Sequence, residues 1–383
     1  MELYIHIPFC VKKCAYCDFA SFPGLGSRMD EYISLLLKEA ETEKKDFISP
    51  VDTVYIGGGT PSLLPAHLLR RLITGLRELL PMDTVSEFTI ESNPGTVTVE
   101  WLDTALSLGA NRLSMGLQAA QPEILQVLGR IHSPDDVVRS VSMARKAGFS
   151  NLSLDLMFGI PGQTENQWRE TLSFALGLSP SHISAYGLIP EEGTPMNDAL
   201  SSGELTLPDP EDERRMYSEA IFLLASAGFK QYEISNFSLP GRECRHNLGY
   251  WRQIPYIGLG VSAASMLLQP SGSGLFSVRR TNPASFDAYA DMISSGVLSA
   301  RTVENITPEE ARFETMMLAL RLCDGISDED FLALHGVSLE SCYGEKLRSL
   351  QSRGLAERRE TSWRLTGRGM DIQNSVLVEL MDG

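Results

Sequence analysis

The sequence predicts an α/β fold: a partial (βα)6 barrel over residues 1–235, joined to a smaller α+β C-terminal domain with winged-helix character. Three observations lead there. Six strand-like runs between Leu3 and Tyr186 each precede a helix-like run, the last of these being Asp209–Ala227, as in a parallel sheet with right-handed crossovers. Polar, glycine-rich stretches fall directly after the strand-like runs, where the ligand sites of parallel sheets lie. Past residue 300 the order changes to helices followed by a strand–turn–strand. Six units rather than eight point to an open barrel, although the count alone does not separate it from a doubly wound sheet.

Leu3–Ile7 reads as the first strand. Met29–Asp46 follows as a helix, with Tyr32, Leu35, Leu36 and Ala40 on one face. Thr53–Ile56 is a short apolar strand ending at Gly57-Gly58-Gly59-Thr60-Pro61, and Pro65–Leu80 a helix. Glu87–Ile90 runs into Glu91-Ser92-Asn93-Pro94, and Val99–Leu108 is a helix stopped by Gly109. Arg112–Met115 leads to Gly116-Leu117-Gln118, then to a helix over Pro134–Ala147. Leu152–Leu156 precedes Gly159-Ile160-Pro161-Gly162 and a helix over Thr164–Leu176, and His182–Tyr186 is the sixth strand. Asp209–Ala227 is a further helix, and Phe229–Ile234 is extended.

Residues 236–300 read as an irregular connecting segment. It holds Cys244-Arg245-His246-Asn247-Leu248-Gly249-Tyr250-Trp251 and a flexible loop, Ser271-Gly272-Ser273-Gly274. Residues 301–383 form the C-terminal unit. A helix over Pro308–Leu322 opens with a Thr307 N-cap and early glutamates. Asp328–Leu334, a helix through Lys346–Gln351 and a hairpin around Ala356–Leu365 complete it.

With 383 residues, 43% of them hydrophobic, the chain can bury a sizeable core. A net charge of −16 opposes a nucleic-acid-binding surface, so a winged helix here reads as a protein-contact or structural unit. The N-terminus has no signal-peptide pattern, and no apolar run reaches the ~18 residues of a membrane span. A cytoplasmic, reducing setting is expected, in which clustered cysteines serve metal or catalysis rather than disulfides.

Three of the six cysteines, Cys10, Cys14 and Cys17, stand at C-x3-C-x2-C spacing just after the first strand. Such a cluster of soft thiolates selects zinc or an iron–sulfur cluster. A zinc site completed by His6 is one reading, but zinc sites usually pair C-x2-C halves, and no second C-x2-C occurs. Three thiolates on a four-iron cluster leave one iron open. The Gly57–Gly59 run exceeds what a turn needs and admits close backbone approach by a ligand. It is not a P-loop, because no Gly-Lys-Ser/Thr follows. Glu91, at a strand end, can accept hydrogen bonds from ribose hydroxyls. Gln118, Arg130 and Asp155 are polar residues near strand or helix ends.

The cysteine spacing resembles the radical S-adenosylmethionine (SAM) superfamily. There the open iron chelates SAM, and an electron from the cluster releases a 5′-deoxyadenosyl radical. More closely, the chain resembles the oxygen-independent coproporphyrinogen III oxidase family and, within it, the HemW-type haem chaperones. The resemblance rests on Leu3-Tyr4-Ile5-His6-Ile7-Pro8-Phe9-Cys10, Gly57–Ser62, Asn111–Gln118, Asp155–Gly162 and His246–Trp251, in order over most of the chain. It implies a [4Fe-4S] cluster on Cys10, Cys14 and Cys17, and a first SAM site lined by Tyr4, Tyr16, Gly58 and Glu91. Gly59, Thr60, Gln118, Arg130 and Asp155 match positions that contact a second SAM in the oxidase.

Three features favour the chaperone branch. Phe19 stands where the oxidase carries a further cysteine, and only nine residues precede Cys10. His246-Asn247-Leu248-Gly249-Tyr250-Trp251 resembles the chaperones' H-N-x-x-Y-W signature. Imidazole is a common axial ligand of haem and aromatic rings can cover its face, so His246 is the candidate haem ligand. Ala264 replaces a histidine that relatives usually carry. The expected function is a cytoplasmic haem chaperone that delivers haem to apo-proteins, membrane-associated ones included. The alternative is a radical SAM enzyme acting on a porphyrinogen.

Overall fold

The computed structural model describes residues 1–270 and 272–381. Ser271 of the Gly/Ser loop, and Asp382 and Gly383 of the C-terminal unit, lie outside the described residues. Six parallel strands form the centre: β1 Glu2–Ile7, β2 Thr53–Gly58, β3 Glu87–Ser92, β4 Arg112–Gln118, β5 Asn151–Phe158 and β6 His182–Gly187, neighbours in that order. Between and after them run α1 Met29–Glu43, α2 Ala66–Leu79, α3 Val99–Ser107, α4 Pro134–Ala147, α5 Glu165–Gly177 and α6 Pro210–Ser226. The strands are largely buried but alternate in character: Leu3, Ile5 and Ile7 of β1 or Val54 and Ile56 of β2 form an apolar row, whereas Glu87, Thr89 and Glu91 of β3 or Ser153 and Asp155 of β5 form a polar one. In β1, Leu3, Ile5 and Ile7 are fully buried and His6 nearly so. Helix starts follow their side chains. Ser133 with Asp136, and Thr164 with Gln167, form reciprocal capping boxes at α4 and α5.

Residues 236–300 are not irregular. Tyr256–Leu259 adds a seventh parallel strand beside β1. Ala264–Leu268, Ser277–Thr281 and Thr302–Ile306 then extend that edge in antiparallel fashion. Asn236–Ser238 and Lys230–Gln231 extend the other edge beyond β6. The hydrogen-bonded sheet thus has two ends and is open. The His246 motif is a short helix, α7 Arg245–Trp251. A second helix, α8 Phe286–Ser295, packs Phe286, Tyr289 and Met292 into the same core as the central strands. These strands are two to five residues long, too short for a clear period, and the two that join the central sheet pair with β1 and β6 far away in sequence.

A buried ion network fixes this late segment to the early one. Glu39 of α1, fully buried, accepts from Arg301 Nη2 at 2.9 Å, Asn282 Nδ2 at 2.6 Å, Tyr289 Oη at 2.8 Å and the Gly260 amide at 2.8 Å. Arg301 Nη1 also reaches Glu43 at 2.5 Å.

The C-terminal unit has its own core, with Met316, Leu320, Phe331, Leu347, Trp363 and Val376 at its centre. Its helices span Pro308–Ala319, Asp328–His335 and Leu339–Ser352, the first opened by the Thr307–Glu310 capping box. Ala356–Arg359 and Ser362–Leu365 form the hairpin, and Ile326–Ser327 joins it as a third strand. Two further helices, Gly367–Asp371 and Gln373–Met381, close the unit. No described helix is long and apolar enough to cross a membrane.

Arg301→Ala leaves the Glu39 carboxylate buried without its cation. The expected loss is about 3–5 kcal/mol of unfolding free energy, measured by urea denaturation.

Candidate functional site

The cysteine loop begins where β1 ends. Phe9–Cys10 pairs in parallel with Phe22–Pro23, and the His6 imidazole meets the Ala20 carbonyl at 2.8 Å, so both ends of the loop are stapled together. Its middle is anchored by the Ala15 amide donating to Leu128 O at 3.0 Å and the Met196 amide donating to Ala15 O at 2.9 Å. All three thiols are free and partly exposed.

The glycine run at the end of β2 is shaped by packing. Gly58 has φ +106°, and a Cβ there would lie 2.4 Å from the His6 ring. At Gly59 a Cβ would meet Phe9 O at 2.7 Å, and at Gly57 it would meet Glu91 Cδ and Tyr55 Cε1, each at 2.9 Å. The sequence reading gave this room to a ligand, but protein atoms fill it. The Gly59 and Thr60 amides donate to Ile7 O and Phe9 O, both at 2.8 Å, which sews β2 to the strand that carries Cys10.

The cysteines and the glycine run share a cavity of 360 Å³. Cys10, Cys14, Cys17, Tyr16, Gly58, Gly59, Glu91, Gln118, Arg130 and Asp155 all line it. Thr60 sits beside it in a smaller adjoining recess, 3.6 Å from Cys10 Sγ through its hydroxyl, and accepts from Asn93 Nδ2 at 2.8 Å. Tyr4 stands one layer behind the wall. Its ring stacks on Tyr55 with centroids 6.3 Å apart, and its hydroxyl meets His6 Nδ1 at 3.0 Å. Phe19, 60% exposed, lines the mouth next to the cysteines.

Charge inside the cavity is held by specific partners. Glu91 Oε1 accepts from Tyr55 Oη at 2.7 Å and Oε2 from the Gly58 amide at 3.2 Å. Burial lifts its carboxyl to about 7, against the Tyr55 hydrogen bond, which pulls it down. Asp155 accepts from Ser184 at 2.8 Å and Ser114 at 3.0 Å, and burial raises it as well. The Arg130 guanidinium reaches Cys14 Sγ at 3.4 Å, Asn93 Oδ1 at 3.2 Å and Gly116 O at 2.9 Å. Burial raises the Cys17 thiol above its ordinary pKa, and the neighbouring Cys14 and Cys10 add to it. Gln118 has φ +65° at a register shift of β4 against β5, a bulge that re-aims its side chain at the site.

Sequence reasoning missed Tyr55 and Arg112 on this wall. Arg112 is 2% exposed in a strand whose seven residues are all buried. A charged residue inside such a strand was the available signal.

His246 requires a correction. It is 1% exposed. Its Nδ1 meets Thr53 Oγ1 at 2.7 Å and its Nε2 meets Tyr250 Oη at 3.0 Å. Neither nitrogen faces open space, so the structure does not offer it as an axial haem ligand. The Arg321 guanidinium of the C-terminal unit lies 5.5 Å over the Trp251 ring. Ala264 opens the strand next to Tyr256–Leu259 and pairs with Thr281.

The donor set fits an iron–sulfur cluster. Among the described residues no three His, Cys, Asp or Glu side chains gather closely enough to hold a single metal ion. A four-iron cluster presents a separate iron to each thiolate, so its ligands need not converge on one point.

Residues 4–175 match the radical SAM superfamily and residues 306–372 the HemN C-terminal domain. The chain is 36% identical to the heme chaperone HemW of Bacillus subtilis over 375 residues, 97% of each chain. It is 35% identical to the heme chaperone HemW of Escherichia coli, over 98% of this chain and 97% of the other. The structure of coproporphyrinogen III oxidase (HemN) from Escherichia coli, at 23% identity, shares the fold with a TM-score of 0.83 over 99% of this chain and 89% of that one.

Gly58→Ala combines an unfavourable φ with a clash on the His6 ring. It is expected to cost about 1–3 kcal/mol and to free the cysteine loop, read by urea denaturation and by faster proteolysis near residues 11–21.

Proposed function

The chain belongs to the heme chaperone HemW family within the radical SAM superfamily, and from that premise we propose that it is a haem chaperone holding a [4Fe-4S] cluster and SAM. One observation carries the reading: three free thiols, the Gly58–Gly59 backbone and the Glu91 carboxylate line one cavity. Cys10, Cys14 and Cys17 would hold the cluster and leave one iron for the amino-acid end of SAM. When bound, the cluster supplies a single electron to the sulfonium of SAM.

The chain's own residues bind and orient. Ionised Glu91 accepts from the ribose hydroxyls, with its carboxylate fixed by Tyr55 and Gly58. Arg130, beside Cys14, offsets the negative charge that deprotonated thiolates bring to a low-dielectric site. Asp155, Gln118 and Gly59 add polar groups on the same wall, and Thr60 adds another in the adjoining recess.

Haem as cargo rests on the relatives' name. Its delivery to apo-proteins, membrane-associated ones included, and a cytoplasmic setting follow on the same reading. The residue that ligates haem is not His246 as this structure holds it. Phe19, in the position of the oxidase's additional cysteine, supports a chaperone over the alternative, a radical SAM enzyme acting on a porphyrinogen.

Anaerobic reconstitution should yield stoichiometric iron and sulfide in the wild type and neither in Cys14→Ala. Stoichiometric zinc without iron would overturn the cluster. The reconstituted protein should bind haem and should not convert coproporphyrinogen, and robust production of protoporphyrinogen would promote the enzyme reading. SAM affinity should rise as pH increases through about 7, because Glu91 must lose its proton to accept two ribose hydroxyls.

A further inference from the structure

We propose that His246 is a positioning residue for SAM: it braces the ring of Tyr55, and Tyr55 in turn orients the Glu91 carboxylate. The inference rests on the SAM reading of the cavity and reassigns a motif that the sequence directs to haem.

The helix that carries His246 lies across the first residues of three strands. The Glu87 carboxylate at the start of β3 accepts from the Arg245 amide at 2.9 Å and the His246 amide at 3.2 Å. Asp52, just before β2, pairs with Arg245 at 3.0 Å. Glu2 of β1 packs so tightly on Gly249 that a Cβ there would lie 1.8 Å from its Oε1. These contacts fix the helix, and the hydroxyls of Thr53 and Tyr250 fix the imidazole within it. Burial, with Arg112 nearby, pulls His246 down to about 3, so the ring is neutral and one nitrogen donates while the other accepts.

A ring held on both edges presents its face as a rigid surface, and Tyr55 lies on it. The two rings are stacked, with centroids 5.1 Å apart and planes 27° from parallel. The Tyr55 hydroxyl then donates to Glu91 Oε1 at 2.7 Å. Gly57 lies close to both, since a Cβ there would come within 2.9 Å of Tyr55 Cε1 and of Glu91 Cδ. The motif therefore reaches the cavity from below: Asn247 lines it directly, and His246 acts through one aromatic ring.

A histidine that served only the core would cost stability when removed and would leave SAM binding and its pH dependence unmoved. A positioning role changes both. The groups that face Glu91 are Tyr55, Asp155 and Arg112, together with the Gly58 amide. Of these, Tyr55 and the Gly58 amide supply hydrogen bonds that favour the ionised carboxylate, and that of Tyr55 has the larger effect.

The test measures SAM affinity against pH, and haem binding, on the full-length, anaerobically reconstituted protein. Tyr55→Phe keeps the ring and its stack but removes the hydroxyl. It should weaken SAM binding about tenfold and move the pH midpoint upward, as loss of a hydrogen bond to a charged group predicts. His246→Ala should move the midpoint in the same direction and leave haem binding unchanged. Should His246→Ala fail to fold, His246→Gln, which keeps polar groups near Thr53 and Tyr250 but removes the stacked ring, is measured in the same way and should move the midpoint upward. An unmoved midpoint in Tyr55→Phe would overturn the proposal. So would a folded His246→Ala protein whose SAM affinity and midpoint stay as in the wild type, whether or not it loses haem. A wild-type protein that carries the cluster yet binds no SAM would remove the SAM reading itself, and is told apart because no variant then has a SAM curve to shift.

Discussion

The site depends on one close approach, that of the Gly57–Gly59 backbone to the strand carrying Cys10. The end of β2 is sewn to Ile7 and Phe9 by two backbone hydrogen bonds, and no side chain fits at any of the three glycines. This contact sets the height of the cysteine loop over the sheet. It also presses Gly57 against Glu91 and Tyr55, so the position of the thiols and that of the carboxylate are tied to the same short run.

Around that contact the protein buries more charge than a packed core needs. Glu91, Asp155, Arg112 and Arg130 converge on one cavity, and Glu91, Asp155 and Arg130 are held there by hydrogen bonds. Arg130 and Glu91 retain capacity toward a ligand. Arg130 Nε has no partner among the described residues, and the Glu91 carboxyl sits near neutrality because burial disfavours its charge. Groups poised in this way are a common mark of functional sites, since the same burial that costs folding stability strengthens each interaction with a bound ligand.

The opposite end of the sheet is organised by residues 236–306. This span extends one edge by four strands and sends α8 into the common core. It is locked to α1 by the Glu39–Arg301 network and lays α7 under the cavity. Trp251, at the end of α7, meets Arg321, and Gln253 accepts from Thr315, so the C-terminal unit packs against this same stretch. The floor of the cavity and the seat of the C-terminal unit are two faces of one segment.

By itself the sequence determined the six central strands, the helices between them and the C-terminal helices with their hairpin. Their signals are local: hydrophobic period, capping residues such as Ser133, Thr164 and Thr307, and glycines at element ends. It also determined the cysteine loop, because the C-x3-C-x2-C spacing is written in adjacent residues. What only the tertiary structure decided are the contacts made over long separations. The strands of residues 256–306 have little signal alone, and Tyr256–Leu259 joins them to the central sheet by pairing with β1 more than 250 residues away. Tyr4 was placed on the cavity wall by resemblance, and stacking on Tyr55 sets it one layer back. His246 beside Tyr250 and Trp251 reads as a haem ligand with its cover. Thr53, 193 residues away in sequence, takes one ring nitrogen and Tyr250 the other. A histidine's role is set by what its two nitrogens meet, and in this chain that depends on how β2 and α7 pack together.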